Sequence, residues 1–179
     1  SKLVSPHGGK LKPLLLTGQQ LQNEMDKAKS LPVVRLTSRE TSDLIMLAMG
    51  AFSPLDGFMR KRDYQEVVKR MHMADGTMWP IPITLAVKDS FAESLPVGYD
   101  IALVDNESGE LMATMTVEEK YSYNKTEEAQ NVFGTTDENH PGVAKIYAQE
   151  DTYLGGAVKV LSEGSYPEQY GNYYGRTAE

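Results

Sequence analysis

The apolar residues of this chain fall in short runs whose period changes from one segment to the next, and that alternation constrains the fold more than any other feature. Over Arg62 to Met71, Tyr64, Val67, Val68 and Met71 recur at i, i+3, i+4 and i+7, the stripe of an amphipathic helix. Over Ile81 to Val87 the period drops to two, with Ile81, Ile83, Leu85 and Val87 on one side of a pleat and Pro82, Thr84 and Ala86 on the other. No run approaches the roughly 18 apolar residues that a membrane helix needs. Short helices interleaved with short strands define an α+β protein, and 179 residues with 40% hydrophobic content suffice for one domain with a real core.

Local signals place further elements. Thr37-x-x-Glu40 is a capping box that opens a helix over 38–49, carried by Leu44, Ile45, Leu47 and Ala48 and stopped by Gly50. Asn124 caps a helix over Lys125 to Phe133 that ends at Gly134, and a shorter helix covers Gly142 to Ala148. Strands are expected at Val33 to Leu36, Tyr99 to Val104, Glu110 to Val117 and Gly156 to Leu161. The turn-rich run Asp105 to Gly109 joins two of them as a hairpin. Pro80 and Pro82 lack amide donors, so the strand they enter belongs at an edge or a bulge. The expected sheet is mostly antiparallel and open to closure as a barrel. Residues 1–162 form the domain; 163–179, with Gly164, Pro167, Gly171 and Gly175, read as a connector.

Chemistry-bearing patterns are scarce. The formal charge of −7 repels polyanions, so neither nucleic acid nor a membrane is an expected partner. The chain has no cysteine, which removes disulfides, thiolate nucleophiles and Cys-containing metal sites. Gly8-Gly9-Lys10 lacks the earlier Gly and the following Ser or Thr of a phosphate loop, since Val4 and Leu11 stand there. His7, His72 and His140 show no metal-ligand spacing. Glu118-Glu119 and Glu127-Glu128 are adjacent residues that point apart, as solvated carboxylates rather than an acid/base couple. Ser53 stands in no nucleophile elbow, and Asn124-Lys125-Thr126 reads as a helix start rather than a glycosylation acceptor. The residues therefore yield no catalytic, cofactor-binding or metal-binding candidate. With no signal peptide in the polar start, a cytoplasmic location is expected.

Several segments, in order, resemble the N-terminal region of the ATP sulfurylases (sulfate adenylyltransferases). They are Pro6-His7-Gly8-Gly9, Gly50 to Met59 with its Phe-Ser-Pro-Leu-Asp-Gly-Phe core, Ala74 to Leu85, and Phe133 to Val143. Gly155-Gly156 and Thr177-Ala178-Glu179 are similar to that family's last strand of the domain and the start of its catalytic part. The resemblance implies a PUA-like, β-barrel-type domain. It also implies a whole enzyme that converts ATP, with Mg, and sulfate to adenosine 5'-phosphosulfate and pyrophosphate, or the reverse in sulfur oxidation. The family's Gln-x-Arg-Asn segment and paired-histidine motif have no counterpart here, so no catalytic residue carries over. The implied role is structural and assembly, with the catalytic domain and further copies of the enzyme as partners.

Fold analogy offers an alternative, since PUA-like domains elsewhere bind RNA. The nearest basic surface is Arg60-Lys61-Arg62 with Tyr64, Lys69 and Arg70, which reads as a solvated helix face in an acidic chain, so no specific RNA affinity is expected. In the Phe52 to Phe58 loop, Phe52, Leu55 and Phe58 are expected to face the core and Gly57 to take a positive φ. Asp137 to His140, before Pro141, reads as a helix-capping turn, and Trp79 as a core or interface anchor.

Overall fold

A computed structural model describes residues 14–71 and 81–164. In chain order the elements are α1 (Gly18–Ala28), β1 (Val33–Leu36), α2 (Ser38–Ala48), β2 (Gly57–Phe58), α3 (Lys61–Arg70), β3 (Leu85–Val87) and α4 (Asp89–Ser94). They continue with β4 (Asp100–Asp105), β5 (Leu111–Thr116), β6 (Glu119–Ser122), α5 (Lys125–Phe133), α6 (Pro141–Ala148) and β7 (Thr152–Val160). Among the described residues two compact units result: 14–57, 100–116 and 157–164, and 58–71, 81–99 and 117–156.

In the first unit, β1 pairs in parallel with β4, β4 antiparallel with β5, and β5 antiparallel with the last part of β7. The sheet is therefore mixed but mostly antiparallel, as expected, with β1 and β4 as a parallel strand pair. A parallel pair needs a crossover, and the long stretch of chain between β1 and β4 provides it. The β4–β5 hairpin turns where expected: Asp105 Oδ2 accepts from Ser108 N at 2.8 Å, and Gly109 takes φ 75°. Leu36, Leu44, Leu47, Ile101, Leu103, Met112 and Met115 are fully buried in this unit. The α2 capping box forms in both directions, Glu40 N to Thr37 Oγ1 at 3.2 Å and Thr37 N to Glu40 Oε1 at 2.9 Å.

Helix α1 has no counterpart in the sequence reading, because its apolar stripe is thin. Its anchor is Glu24, buried, which accepts from Thr114 Oγ1 at 2.7 Å and is flanked by Lys27 and Lys159. Lys27 also bonds Asp100. The Asp100 hydrogen bond raises the Lys27 pKa despite its partial burial. Burial pulls Asp100 upward, but the hydrogen bonds from Lys27 and Thr116 and the Lys27 charge outweigh it and hold the carboxyl below its usual range.

In the second unit, β3 and β6 both pair antiparallel with the first part of β7. β7 begins at Thr152, four residues before the expected strand, and Gly155 is what permits it. A Cβ there would lie 2.6 Å from Met59 O and 2.7 Å from Arg60 Cα, inside any tolerable contact with backbone. The strand expected over Ile81 to Val87 shrinks to β3, because Ile81 stands 58% exposed and Ile83 turns its carbonyl to Met59 N. Pro80 and Trp79 lie outside the described residues. α3 ends at Arg70, with Met71 in the left-handed region at φ 59° rather than inside the helix.

Two expectations fail on geometry. Gly57 is a β2 residue and is not among the positive-φ glycines, so the turn before it bends without one. Glu128 is 4% exposed rather than solvated, for a reason that lies in the tyrosines around it. The helix ends behave as read. Asn124 Oδ1 accepts from Glu127 N at 2.8 Å, Gly134 closes α5 at φ 75°, and His140 Nδ1 accepts from Gly142 N at 3.0 Å as the cap of α6. Among the described residues no helix is long and apolar enough to cross a membrane.

Candidate functional site

The densest polar chemistry of the second unit is built on α3. Its stripe of Tyr64, Val67 and Val68 is buried, which brings Tyr64 against Tyr121 of β6 and Tyr153 of β7. Tyr121 and Tyr153 are directly cross-strand, their rings 5.7 Å apart and near-perpendicular, and Tyr123 stacks on Tyr153 at 3.6 Å. Glu128, on the inner side of α5, enters this cluster as an acceptor. Its Oε1 takes the Tyr64 hydroxyl at 2.5 Å and the Tyr153 hydroxyl at 2.8 Å. Tyr121 donates to Met59 O at 2.6 Å and Tyr123 to Glu150 O at 2.5 Å, while Gln149 Nε2 donates to both Tyr123 and Tyr153 at 3.0 Å.

These phenols are held in one protonation state. Burial, and then the charge of Glu128, pushes Tyr64 and Tyr153 far above the ordinary phenol range. Tyr121 moves the same way through burial and then the charges of Glu119 and Glu128, and Tyr123 is pushed up to about 12, chiefly by burial. Neutral phenols that all donate are a brace for the packing of α3, α5 and the sheet. They are neither a nucleophile nor a base, because each proton is already committed to an acceptor.

Beside the brace lies a cleft of about 420 Å³, lined on one side by Lys61, Gln65 and Lys69 of α3 and on the other by Ser122, Tyr123 and Glu127. The basic run at α3 divides here. Arg60 makes a two-nitrogen contact with Glu118 at 2.7 and 3.0 Å, and Arg70 pairs with Glu66 at 2.6 Å. Lys61, Arg62 and Lys69 are exposed, as a solvated helix face should be, and Tyr64 is turned inward onto Tyr121 and Tyr153, where no base from solvent could stack on it.

The remaining sequence candidates do not converge. His7, His72 and Gly8-Gly9-Lys10 fall outside the described residues, and His140 is spent on its cap. Ser53 is 1% exposed and its Oγ has no hydrogen-bond partner, so no base stands ready to activate it. Among the described residues no three His, Asp or Glu side chains are placed to hold a metal ion. The Asp43 carboxyl is raised toward neutrality, to about 6, by burial against the opposing pull of Arg39. It stands with that single ion-pair partner at 2.5 Å and no nucleophile. The sequence alone does not reveal the Glu128 brace, because adjacent glutamates on a polar helix give no sign of which one turns inward; only the tyrosines on three separate elements hint at a buried acceptor.

Over residues 4–163 the sequence matches the model of the PUA-like domain, and the chain belongs to that family. Its curated relatives include sulfate adenylyltransferases. That of Pelodictyon phaeoclathratiforme is 53% identical over 174 residues, covering 96% of this chain and 43% of that protein. That of Chlorobium chlorochromatii is 53% identical over 179 residues (99% and 44%), and that of Thiobacillus denitrificans 52% over 180 residues (100% and 44%). The chain thus spans less than half the length of these relatives. Among solved structures, a hexameric APS kinase from Thiobacillus denitrificans matches with a TM-score of 0.69 at 27% identity, over 93% of this chain and 28% of that one.

Proposed function

We propose that this chain is the N-terminal structural and assembly domain of a sulfate adenylyltransferase, whose whole form converts ATP and sulfate to adenosine 5'-phosphosulfate and pyrophosphate, or the reverse in sulfur oxidation. The observation that carries the reading is identity above 50% to sulfate adenylyltransferases across 96 to 100% of this chain. In this reading residues 1–162 are the domain, with the barrel-type closure of the sheet, and 163–179 connect it to the catalytic part. The partners are that catalytic part and other copies of the enzyme in a homo-oligomer, a reading supported by the hexameric neighbour. A cytoplasmic location, with no nucleic acid or membrane partner, belongs to the same proposal.

The physical case for a non-catalytic role rests on what the reaction demands. Attack of sulfate on the α-phosphate brings two anions together, which calls for positioned cations, oriented amides and a metal on the nucleotide. The buried carboxylates here are each committed: Glu24 to Thr114, Glu40 to its own helix cap and Glu128 to two tyrosines. They do not fit a Mg–ATP site, so ATP and its Mg are assigned to the rest of the enzyme. No specific observation favours RNA binding, since the one aromatic of the basic run is buried.

The test is ATP formation from adenosine 5'-phosphosulfate and pyrophosphate, measured for this chain and for a full-length sulfate adenylyltransferase. The chain alone should give no signal above buffer, and adding the missing portion in one polypeptide should restore turnover. Turnover by the purified chain itself would overturn the assignment.

A further inference from the structure

We propose that the cleft between α3 and β6 is a docking groove for an extended acidic peptide segment, which goes beyond the structural role above and does not depend on it. Lys61 and Lys69 stand on one stripe of α3 with Gln65 between them, eight residues or about 12 Å apart along the helix. Neither ammonium is ion-paired, whereas Arg60 and Arg70 at the two ends of the same helix are engaged with Glu118 and Glu66. Among the described residues of this helix Lys61, Arg62 and Lys69 are left without carboxylates, and two of them, Lys61 and Lys69, line the cleft.

The opposite wall has strand geometry. Among the described residues β6 pairs with β7 alone, which leaves one of its edges without a strand, and Tyr121, Ser122 and Tyr123 line the groove. A helix facing an unpaired strand is the arrangement in which an extended segment can add backbone hydrogen bonds on one side and side-chain contacts on the other. The cleft, at about 420 Å³, falls in the size range of ligand sites.

Spacing selects the occupant. An extended chain rises about 3.3 Å per residue, so side chains four residues apart lie about 13 Å apart on one face, matching the two lysines. A strand-like wall favours an extended segment over a compact polyanion, and Glu127 on that wall opposes a dense anion. A segment with acidic residues at i and i+4 and small or β-branched residues between them satisfies each wall.

The experiment uses the whole 179-residue chain and a blocked, fluorescently labelled peptide Glu-Val-Thr-Val-Glu, followed by anisotropy. Controls are Gln-Val-Thr-Val-Gln, the respaced Glu-Glu-Val-Thr-Val, and inorganic pyrophosphate as competitor. Saturable binding of the first peptide is expected, weakened about two- to five-fold by either Lys61→Gln or Lys69→Gln and by added salt. The neutral and respaced peptides should bind more weakly, and pyrophosphate should not displace. Both lysines are exposed, so far-UV circular dichroism of the variants should be unchanged. No binding up to about 5 mM peptide, affinity indifferent to both substitutions, equal affinity for the respaced peptide, or displacement by stoichiometric pyrophosphate would each overturn the proposal.

Discussion

Replacing Glu128 with Ala tests whether the tyrosine brace holds the second unit together. The carboxylate is 4% exposed, and its Oε1 accepts from Tyr64 at 2.5 Å and Tyr153 at 2.8 Å, both buried. Two hydrogen bonds to a charged acceptor contribute about 1.5 to 3 kcal/mol each, and their loss leaves two phenol donors without acceptors. Relief of the buried charge offsets part of this, so the net loss should be about 3 to 5 kcal/mol. Glu128→Gln keeps a carbonyl acceptor and should cost only about 1 to 2 kcal/mol. If the bond to Tyr64 is the cause, Glu128→Ala should cost less by about 1 to 3 kcal/mol in a Tyr64→Phe background, a coupling that unrelated packing losses would not produce. Urea unfolding at neutral pH, read by circular dichroism with the m-value held constant, gives the stabilities of the parent and all four variants. A Glu128→Ala variant within about 0.5 kcal/mol of the parent, or strict additivity with Tyr64→Phe, would refute the brace.

Gly155→Ala should lower stability by more than about 2 kcal/mol, because the new methyl meets the backbone of Met59 and Arg60 rather than a side chain that can swing away; an unchanged urea midpoint would contradict the close approach. Asp43 gives a pH signature. Its carboxyl is raised from 3.8 to about 6, so the folded chain holds a proton that the unfolded chain releases, and the stability that this group contributes at low pH is lost as pH rises through that window. Two units correspond to about 3 kcal/mol, so Asp43→Asn should gain on the parent by up to that amount between pH 4 and 7. Parallel stability curves for the two proteins would dismiss the shift.

Helix ends and the hairpin were legible because their determinants are local. Thr37 with Glu40, Asn124 with Gly134, and Asp105 to Gly109 each satisfy backbone groups within a few residues, so the chain writes them out in order. The same holds for the stripe of α3, where a 3.6-residue period alone predicts which side is buried. The stretches that escaped are those whose apolar signal is weak and whose stability comes from a distant partner. α1 is mostly polar and is held by Glu24 on Thr114, and β6 is half charged yet pairs along β7. Family membership, too, was carried by short segments read in order, whereas no residue type marked a site. Tertiary structure alone decided that Glu128 faces inward while Glu127 faces the cleft, that Gly57 needs no positive φ while Gly155 must lack a side chain, and that β1 runs parallel to β4. Each of these depends on which backbone or side chain arrives from 60 or more residues away, or, for Glu128, on tyrosines from three elements meeting around one carboxylate, and a local pattern carries no record of that meeting.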